Sequence, residues 1–215
     1  KFSIGIIFVG LGFLAWVSFV PLIHVFNISL LKKNIICGYV FGLSFNLTAF
    51  YWIGVNSGAD LMTVLGSLFA AVFYLASFWA GAGFLFSLIS KEDQHISGNL
   101  FFPFIIVMVE YVRSFGALGF PWSNLALTQS KYIYFIQFIE VTGTYGVSFV
   151  IIGLNVILYN VTQKKISLLK GLSFISFILI GFSIAGKGRT LSLPKSYQDI
   201  TVAVVQPNVD PNSKW

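Results

Sequence analysis

Apolar residues fill this chain in long runs separated by short clusters of charge. Six of the runs approach or exceed the roughly 20 residues that a helix needs to cross a hydrocarbon core about 30 Å thick. They are 4–26, 36–55, 61–90, 97–115, 143–161 and 167–186. The third would be about 45 Å long at ~1.5 Å per residue, so it must tilt, bend or project beyond the hydrocarbon. The pattern predicts an all-α polytopic membrane protein with six transmembrane helices within residues 1–186.

The pattern changes after Gly186. Lys187, Arg189, Pro194, Lys195, Gln198 and Asp199 lead into the run Ile200, Thr201, Val202, Ala203, Val204, Val205 and Gln206. Its β-branched content is that of a strand, and a near-continuous apolar strand belongs in a sheet covered on both faces. A lone strand has nothing to pair with. Residues 187–215 are therefore expected to be a linker and the first strand of a domain outside the membrane, absent from this chain.

Composition narrows the class further. The 215 residues are 57% hydrophobic and 9% charged, with a mean hydropathy of +0.87, whereas soluble domains carry roughly a quarter charged residues. That excludes an ordinary soluble domain and intrinsic disorder, and the single Cys excludes a disulfide scaffold. A net charge of +6 would suggest nucleic acid in a soluble protein, but the charges sit in loops and no nucleic-acid partner is expected. Lys32 and Lys33, Lys91, and Lys164, Lys165 and Lys170 follow the first, third and fifth runs, whereas Asp60, Arg113 and Lys131 occupy the alternate loops. Basic residues are retained on the cytoplasmic side, so both ends of the chain are expected to face away from the cytoplasm. A chain that opens with Lys1 on that side implies at least one upstream span.

The polar residues near the outer ends form a recurrent order. Glu110 and Arg113 precede Gly119-Phe120-Pro121-Trp122-Ser123-Asn124; Gln137, Glu140, Gly143, Gly146-Val147-Ser148-Phe149 and Asn155 follow; the tail reads Val202-Ala203-Val204-Val205-Gln206-Pro207-Asn208, then Lys214-Trp215. Taken together, E-x-x-R, G-F-P-W, G-x-x-G-V-S-F and V-x-x-V-Q-x-N with a final K-W resemble the apolipoprotein N-acyltransferase family over nearly the whole chain. The resemblance implies eight spans in the bacterial inner membrane, with a periplasmic nitrilase-like αββα domain between the last two. This chain would then hold spans two to seven and the first nitrilase-like strand, with its termini periplasmic.

The chemistry implied by the resemblance is acyl transfer through a Cys thioester, with a Glu base and a Lys at the oxyanion. A phospholipid donates the acyl chain, and the α-amino group of a diacylglyceryl-cysteine lipoprotein accepts it. A thiolate suits both steps, since it attacks esters readily and leaves a thioester that an amine can open. The family's three catalytic residues lie beyond the position matching Trp215, so the chain is expected to contain none of them and to be inactive alone. No cofactor and no metal are implied.

Substrate-binding candidates follow from the same positions. Glu110 and Arg113, three apart on a helix, share a face that lets the charges pair, and a planar Arg fork suits a phosphate. They either pin the helix end and the next loop or meet a lipid headgroup, and the two roles are compatible. Phe120, Pro121 and Trp122 read either as an interfacial turn or as the lining of a lipid portal. Asn124, Thr128 and Gln129 would supply polar groups at headgroup depth, with Gln137 and Glu140 facing the same region. Trp215 matches a family position near the active-site cavity. Gly143 and Gly146 read as close-packing positions, Cys37 as a small apolar residue, His24 as a lone histidine satisfied locally, and His95 as part of a solvated turn. Two other classes fit the spans: a transporter or channel, against which no repeat and no midplane charge is visible, and a non-catalytic membrane anchor for a nitrilase-like or glycosyl-transferring domain.

Overall fold

The computed structural model describes residues 11–55, 59–92, 98–192 and 201–206. Its elements, in order, are a 3-10 helix Gly12–Trp16, α1 Val20–Ile28, α2 Leu31–Phe50 with a 3-10 extension Tyr51–Val55, and α3 Leu61–Glu92. A 3-10 turn Gly98–Phe101 then leads into α4 Phe102–Val112, and after a long connection containing the 3-10 turns Leu125–Gln129 and Phe135–Phe138 come α5 Ile139–Thr162 and α6 Leu168–Leu191. Among the described residues there is no strand.

Four segments are long and apolar enough to cross a membrane: Leu31–Val55, Leu61–Ser90, Phe135–Thr162 and Leu168–Leu191. Beside them lie two shorter apolar helical segments, Gly12–Ile28 and Gly98–Val112, which begin where residues 1–10 and 93–97 lie outside the described ones. Local sequence shapes both. The first is broken at 17–19 between its 3-10 and α parts, and Pro21 can only open a helix because it lacks an N–H. The second has one 3-10 turn and eleven α residues before Arg113, about 25 Å by the two rises. The last helix, by contrast, continues past Gly186 to Leu191. Of the strand expected at 200–206, residues 201–206 are described; they have no secondary structure and their valines are exposed. Strand geometry is fixed by a ladder with a neighbour, and no described segment lies beside them.

Helices α2 and α3 approach most closely, because Gly38 and Gly42, four apart, remove side chains from one face. A Cβ at Gly38 would overlap the Trp79 carbonyl, one at Gly42 the Trp79 ring and the Ala76 backbone, and one at Gly83 the Asn34 carbonyl. This is small-residue packing, the usual means by which helices associate without a hydrophobic drive in lipid. Around it sits an aromatic core in which Phe19, Trp79, Phe26, Phe86 and Phe102 meet at ring distances of 5.6–6.1 Å. Ile106, Val147, Ile151 and Ile152 close it from α4 and α5.

Buried asparagines join the helices. Asn34 donates to the Phe26 carbonyl at 2.9 Å and to Ser87 Oγ at 2.8 Å, and buried Asn99 accepts through Oδ1 from the exposed Asn27 amide at 2.6 Å. Asn155 spans the break between the first 3-10 helix and α1: its amide donates to the Ala15 carbonyl at 2.8 Å and its carbonyl accepts the Phe19 N–H at 2.9 Å. Backbone groups freed by a broken helix must find partners inside the protein when lipid surrounds it, and Asn155 supplies two of them.

Gly143 and Gly146 do not serve close helix contact, which corrects the packing expectation. A Cβ at Gly143 would meet nothing, but its φ of 65° and ψ of −173° break α5 one turn from its start, a conformation essentially confined to glycine. At Gly146 a Cβ would strike Thr142 of the same helix.

Two expectations follow. Asn155→Leu, which strands the Phe19 N–H and the Ala15 carbonyl, should lose about 1–3 kcal/mol per group left unpaired, read as a lower detergent melting temperature. Asn46→Leu should change it little, because the Asn46 amide bonds only to the Gly42 carbonyl of its own helix. At the start of α3, exposed Asp60 accepts from Thr63 N at 3.0 Å and Thr63 Oγ1 at 2.6 Å, and the Thr63 hydroxyl holds its pKa below the ordinary value. A depressed folded-state pKa stabilises the helix start at pH values above the unfolded aspartate pKa, and that contribution disappears as pH falls through the folded value. Amide exchange at Thr63 should therefore accelerate at acid pH, relative to intrinsic rates, and Asp60→Asn should flatten the response.

Candidate functional site

The end of α4 and the connection that follows it are built around two buried charges. Glu110 and Arg113 are each 2% exposed. Three residues of helix put both on the face turned toward the loop, yet they form no ion pair with each other; among the described residues the ion pair is Arg189 with Glu140. Each instead reaches the loop by itself. Glu110 Oε1 accepts the Leu125 N–H at 2.7 Å. Arg113 donates from Nη1 to Ser123 Oγ at 3.1 Å and from Nη2 to Asn124 Oδ1 at 2.9 Å, while its carbonyl accepts the Phe120 N–H at 2.7 Å. Two side chains and one carbonyl thus hold residues 120–125. Ser123, at a φ of 63°, occupies the left-handed region that costs a non-glycine residue energy, and the Arg113 bond to its hydroxyl fixes it there.

The held loop presents an aromatic face. Phe120 packs edge-on against Phe50 at 4.9 Å and lies 5.5 Å from Trp122. Trp122 stacks on Trp52 of the α2 extension at 5.8 Å and 24°, and the two indoles remain 54% and 44% exposed. Pro121 is exposed beside them. Such half-exposed indoles are what the membrane–water boundary favours.

Asn124 and Gln129 face inward. Asn124 accepts from Arg113. Gln129, wholly buried, accepts from Trp16 Nε1 at 3.0 Å and donates to the Gly12 carbonyl at 2.9 Å and Thr128 Oγ1 at 2.7 Å, tying the loop to the first helical segment. Glu140 belongs to a different contact: its carboxylate receives Arg189 Nη2 at 2.7 Å and Nε at 2.9 Å, bridging the start of α5 and the last turn of α6. Gln137 donates to the Ile133 carbonyl. Trp215 and His95 lie outside the described residues. Cys37 is free and packs against the main core, and the His24 ring lies 6.1 Å from Tyr159. Among the described residues no three His, Cys, Asp or Glu side chains are grouped to hold a metal ion.

Comparison with known proteins places this geometry. The model of the apolipoprotein N-acyltransferase N-terminal domain matches residues 2–157. The chain belongs to the apolipoprotein N-acyltransferase family. It is 31% identical to the apolipoprotein N-acyltransferase of Geobacter metallireducens over 96% of this chain and 41% of that protein. It is 29% identical to the Rickettsia prowazekii protein of that name over 83% and 36%, and 25% identical to that of Thermotoga maritima over 95% and 41%. The chain thus spans about two-fifths of the length of these family members. No solved structure matches it.

The residues that sequence reasoning missed are Trp52, Ser123 and Arg189. Trp52 stands far from Trp122 in sequence and only packing joins them; Arg189 was read as part of a linker because its helix was expected to stop at Gly186. Glu110→Gln keeps the oxygen that accepts Leu125 and should leave the loop in place, whereas Glu110→Ala removes it and should release the loop. Amide exchange at Leu125 checks this: the alanine variant should exchange about tenfold faster or more, given a charge-assisted bond worth about 1.5–3 kcal/mol, and the glutamine variant should stay near wild type.

Proposed function

We propose that this chain is the membrane part of an enzyme that moves a fatty acyl chain from a phospholipid to the N-terminal amine of a diacylglyceryl-cysteine lipoprotein, by way of a Cys thioester formed in a nitrilase-like domain beyond Trp215. The observation that carries the reading is the Phe120–Trp122 loop, clamped by Glu110 and Arg113 and stacked on Trp52, in a chain of this family. The clamped loop is the wall of the lipid portal beneath the catalytic domain. Trp122, Pro121 and Phe120 touch acyl chains, and Trp215 completes the wall from above. Arg113, Glu110, Asn124 and Gln129 act by positioning, because Glu110 Oε1, both Arg113 Nη atoms, Asn124 Oδ1 and the Gln129 amide are bonded within the protein. Glu140 with Arg189 fixes the outer ends of α5 and α6.

On this reading the protein is a multi-pass protein of the bacterial inner membrane, with the Trp122 loop and both termini periplasmic. The two shorter apolar segments complete six crossings beside the four long helices, and the irregular backbone at 17–19 and after Arg113 is satisfied internally, as lipid requires.

The test uses the full-length enzyme, scoring thioester formation from a phospholipid donor beside the amount of inserted protein. Trp122→Ala should lower thioester formation by up to about 100-fold at unchanged protein level, since a displacement of about 1 Å at the reacting ester costs that much. Arg113→Lys should lower it as well, because an ammonium replaces the fork that reaches Ser123 and Asn124 separately. Activity that falls only in proportion to inserted protein would overturn the portal. Cysteine labelling adds the orientation: Leu118→Cys, 70% exposed, should react from outside the cell and Lys164→Cys should not.

A further inference from the structure

A second feature of the same end of the molecule shares no residue with the clamped loop. A cleft of about 530 Å³ runs between α6, the first 3-10 helix and residues 131–135, a volume within the roughly 300–1,000 Å³ of small-ligand sites. Its lining includes Lys131, Tyr132, Tyr134, Leu179 and Thr190, with Trp16 packed 5.7 Å from Tyr132. Leu179 and Thr190 are eleven residues apart on one helix, so the cleft follows α6 for about 16 Å, from the end of the span toward its middle.

The hydroxyls of α6 in the lining are spent on the helix itself. Ser183 Oγ donates to the Leu179 carbonyl at 2.6 Å and Thr190 Oγ1 to the Gly186 carbonyl at 2.9 Å, so this wall offers hydrocarbon contact. The lining lysine differs. Lys131 is exposed and, among the described residues, has no carboxylate partner, and it is the charged side chain among those lining the cleft. Nearby Arg189 is neutralised by Glu140. An exposed cation beside a mostly apolar slot that follows a spanning helix suits one anionic phospholipid: phosphate at the ammonium, one acyl chain along α6 toward Leu179.

We infer that this cleft is a binding site for a resident anionic phospholipid, separate from the portal through which substrate lipids pass. The site does not rest on the acyl-transfer reading; it requires only that α6 cross a membrane. The lipid fills the gap between a helix that contributes few buried residues and the rest of the bundle, and joins α6 to the first helical segment.

The experiment is native mass spectrometry of the full-length protein in mild detergent with added phosphatidylglycerol or phosphatidylcholine. Wild type should retain one phosphatidylglycerol in preference to phosphatidylcholine. Lys131→Gln should weaken retention about fivefold, the effect of one cation on an anionic lipid, and Ser183→Trp, which fills the slot, should abolish it. Trp122→Ala should retain the lipid while losing acyl transfer, which separates failure of this site from failure of the portal. Equal retention of both lipids, or retention by a folded Ser183→Trp variant, overturns the inference. Benzoylphenylalanine at Tyr134 gives a readout independent of the filled-slot variant: crosslinking to phospholipid on irradiation supports the site, and crosslinking only to polypeptide, which would mean that protein fills the cleft, overturns it.

Discussion

Backbone that leaves a helix within or beside hydrocarbon has no water to bond to, and satisfying it from inside the protein is the constraint on which the rest of this structure depends. At three places among the described residues, backbone outside regular helix is met by a buried polar side chain. Asn155 of α5 serves the break before α1. Gln129 serves the first 3-10 helix through the Gly12 carbonyl. Glu110 and Arg113 serve the loop after α4. Because Asn155 and Gln129 are remote in sequence from the groups they serve at the first segment, those bonds also fix which elements are neighbours.

The charged members of this set illustrate how cost and placement balance. A carboxylate or guanidinium inside a membrane protein is expensive even on the lenient insertion scale, about 2.5–3.5 kcal/mol at mid-bilayer, and mutual pairing is the usual compensation. Here the two charges are three residues apart yet bond to separate loop groups. Charge-assisted bonds to backbone N–H groups and neutral side chains are individually stronger than neutral ones, and several of them converge on six consecutive residues. The gain is a rigid loop whose backbone includes a left-handed serine, which the sequence by itself would not hold.

The family and the helical class were legible in the chain, because apolar runs of spanning length and the order of E-x-x-R, G-F-P-W and G-x-x-G-V-S-F survive in any reading of it. The backbone break inside the first run was not, since a window of mean hydropathy passes through Pro21 and through residues 17–19 without registering either. Spacing could have revealed Gly38 and Gly42 as a contact face, and it is these rather than Gly143 and Gly146 that bring helices together. A glycine's role divides between missing volume and permitted φ, and only coordinates tell which applies at Gly143. The strand at 200–206 was inferred from β-branched composition, but pairing is a property of two segments. Among the candidate site residues, position along the chain marked the loop as a unit; what it could not assign was direction, inward for Asn124 and Gln129 and outward for Trp122.

Direction decides chemistry at this end of the molecule. A guanidinium already bonded to Ser123 and Asn124, or an amide bonded to Trp16, Gly12 and Thr128, has to surrender those bonds before it can meet a ligand, and a buried group so released costs about 1–3 kcal/mol, more when charged. Conserving that energy favours ligand contact by side chains with unspent surface: Trp122 and Trp52 on one flank, Lys131, Tyr132 and Tyr134 along the cleft. The residue types that look most like binding groups in the sequence are therefore bonded within the protein, and the aromatic and lysine side chains that look most like ordinary interfacial residues are the ones left with exposed surface.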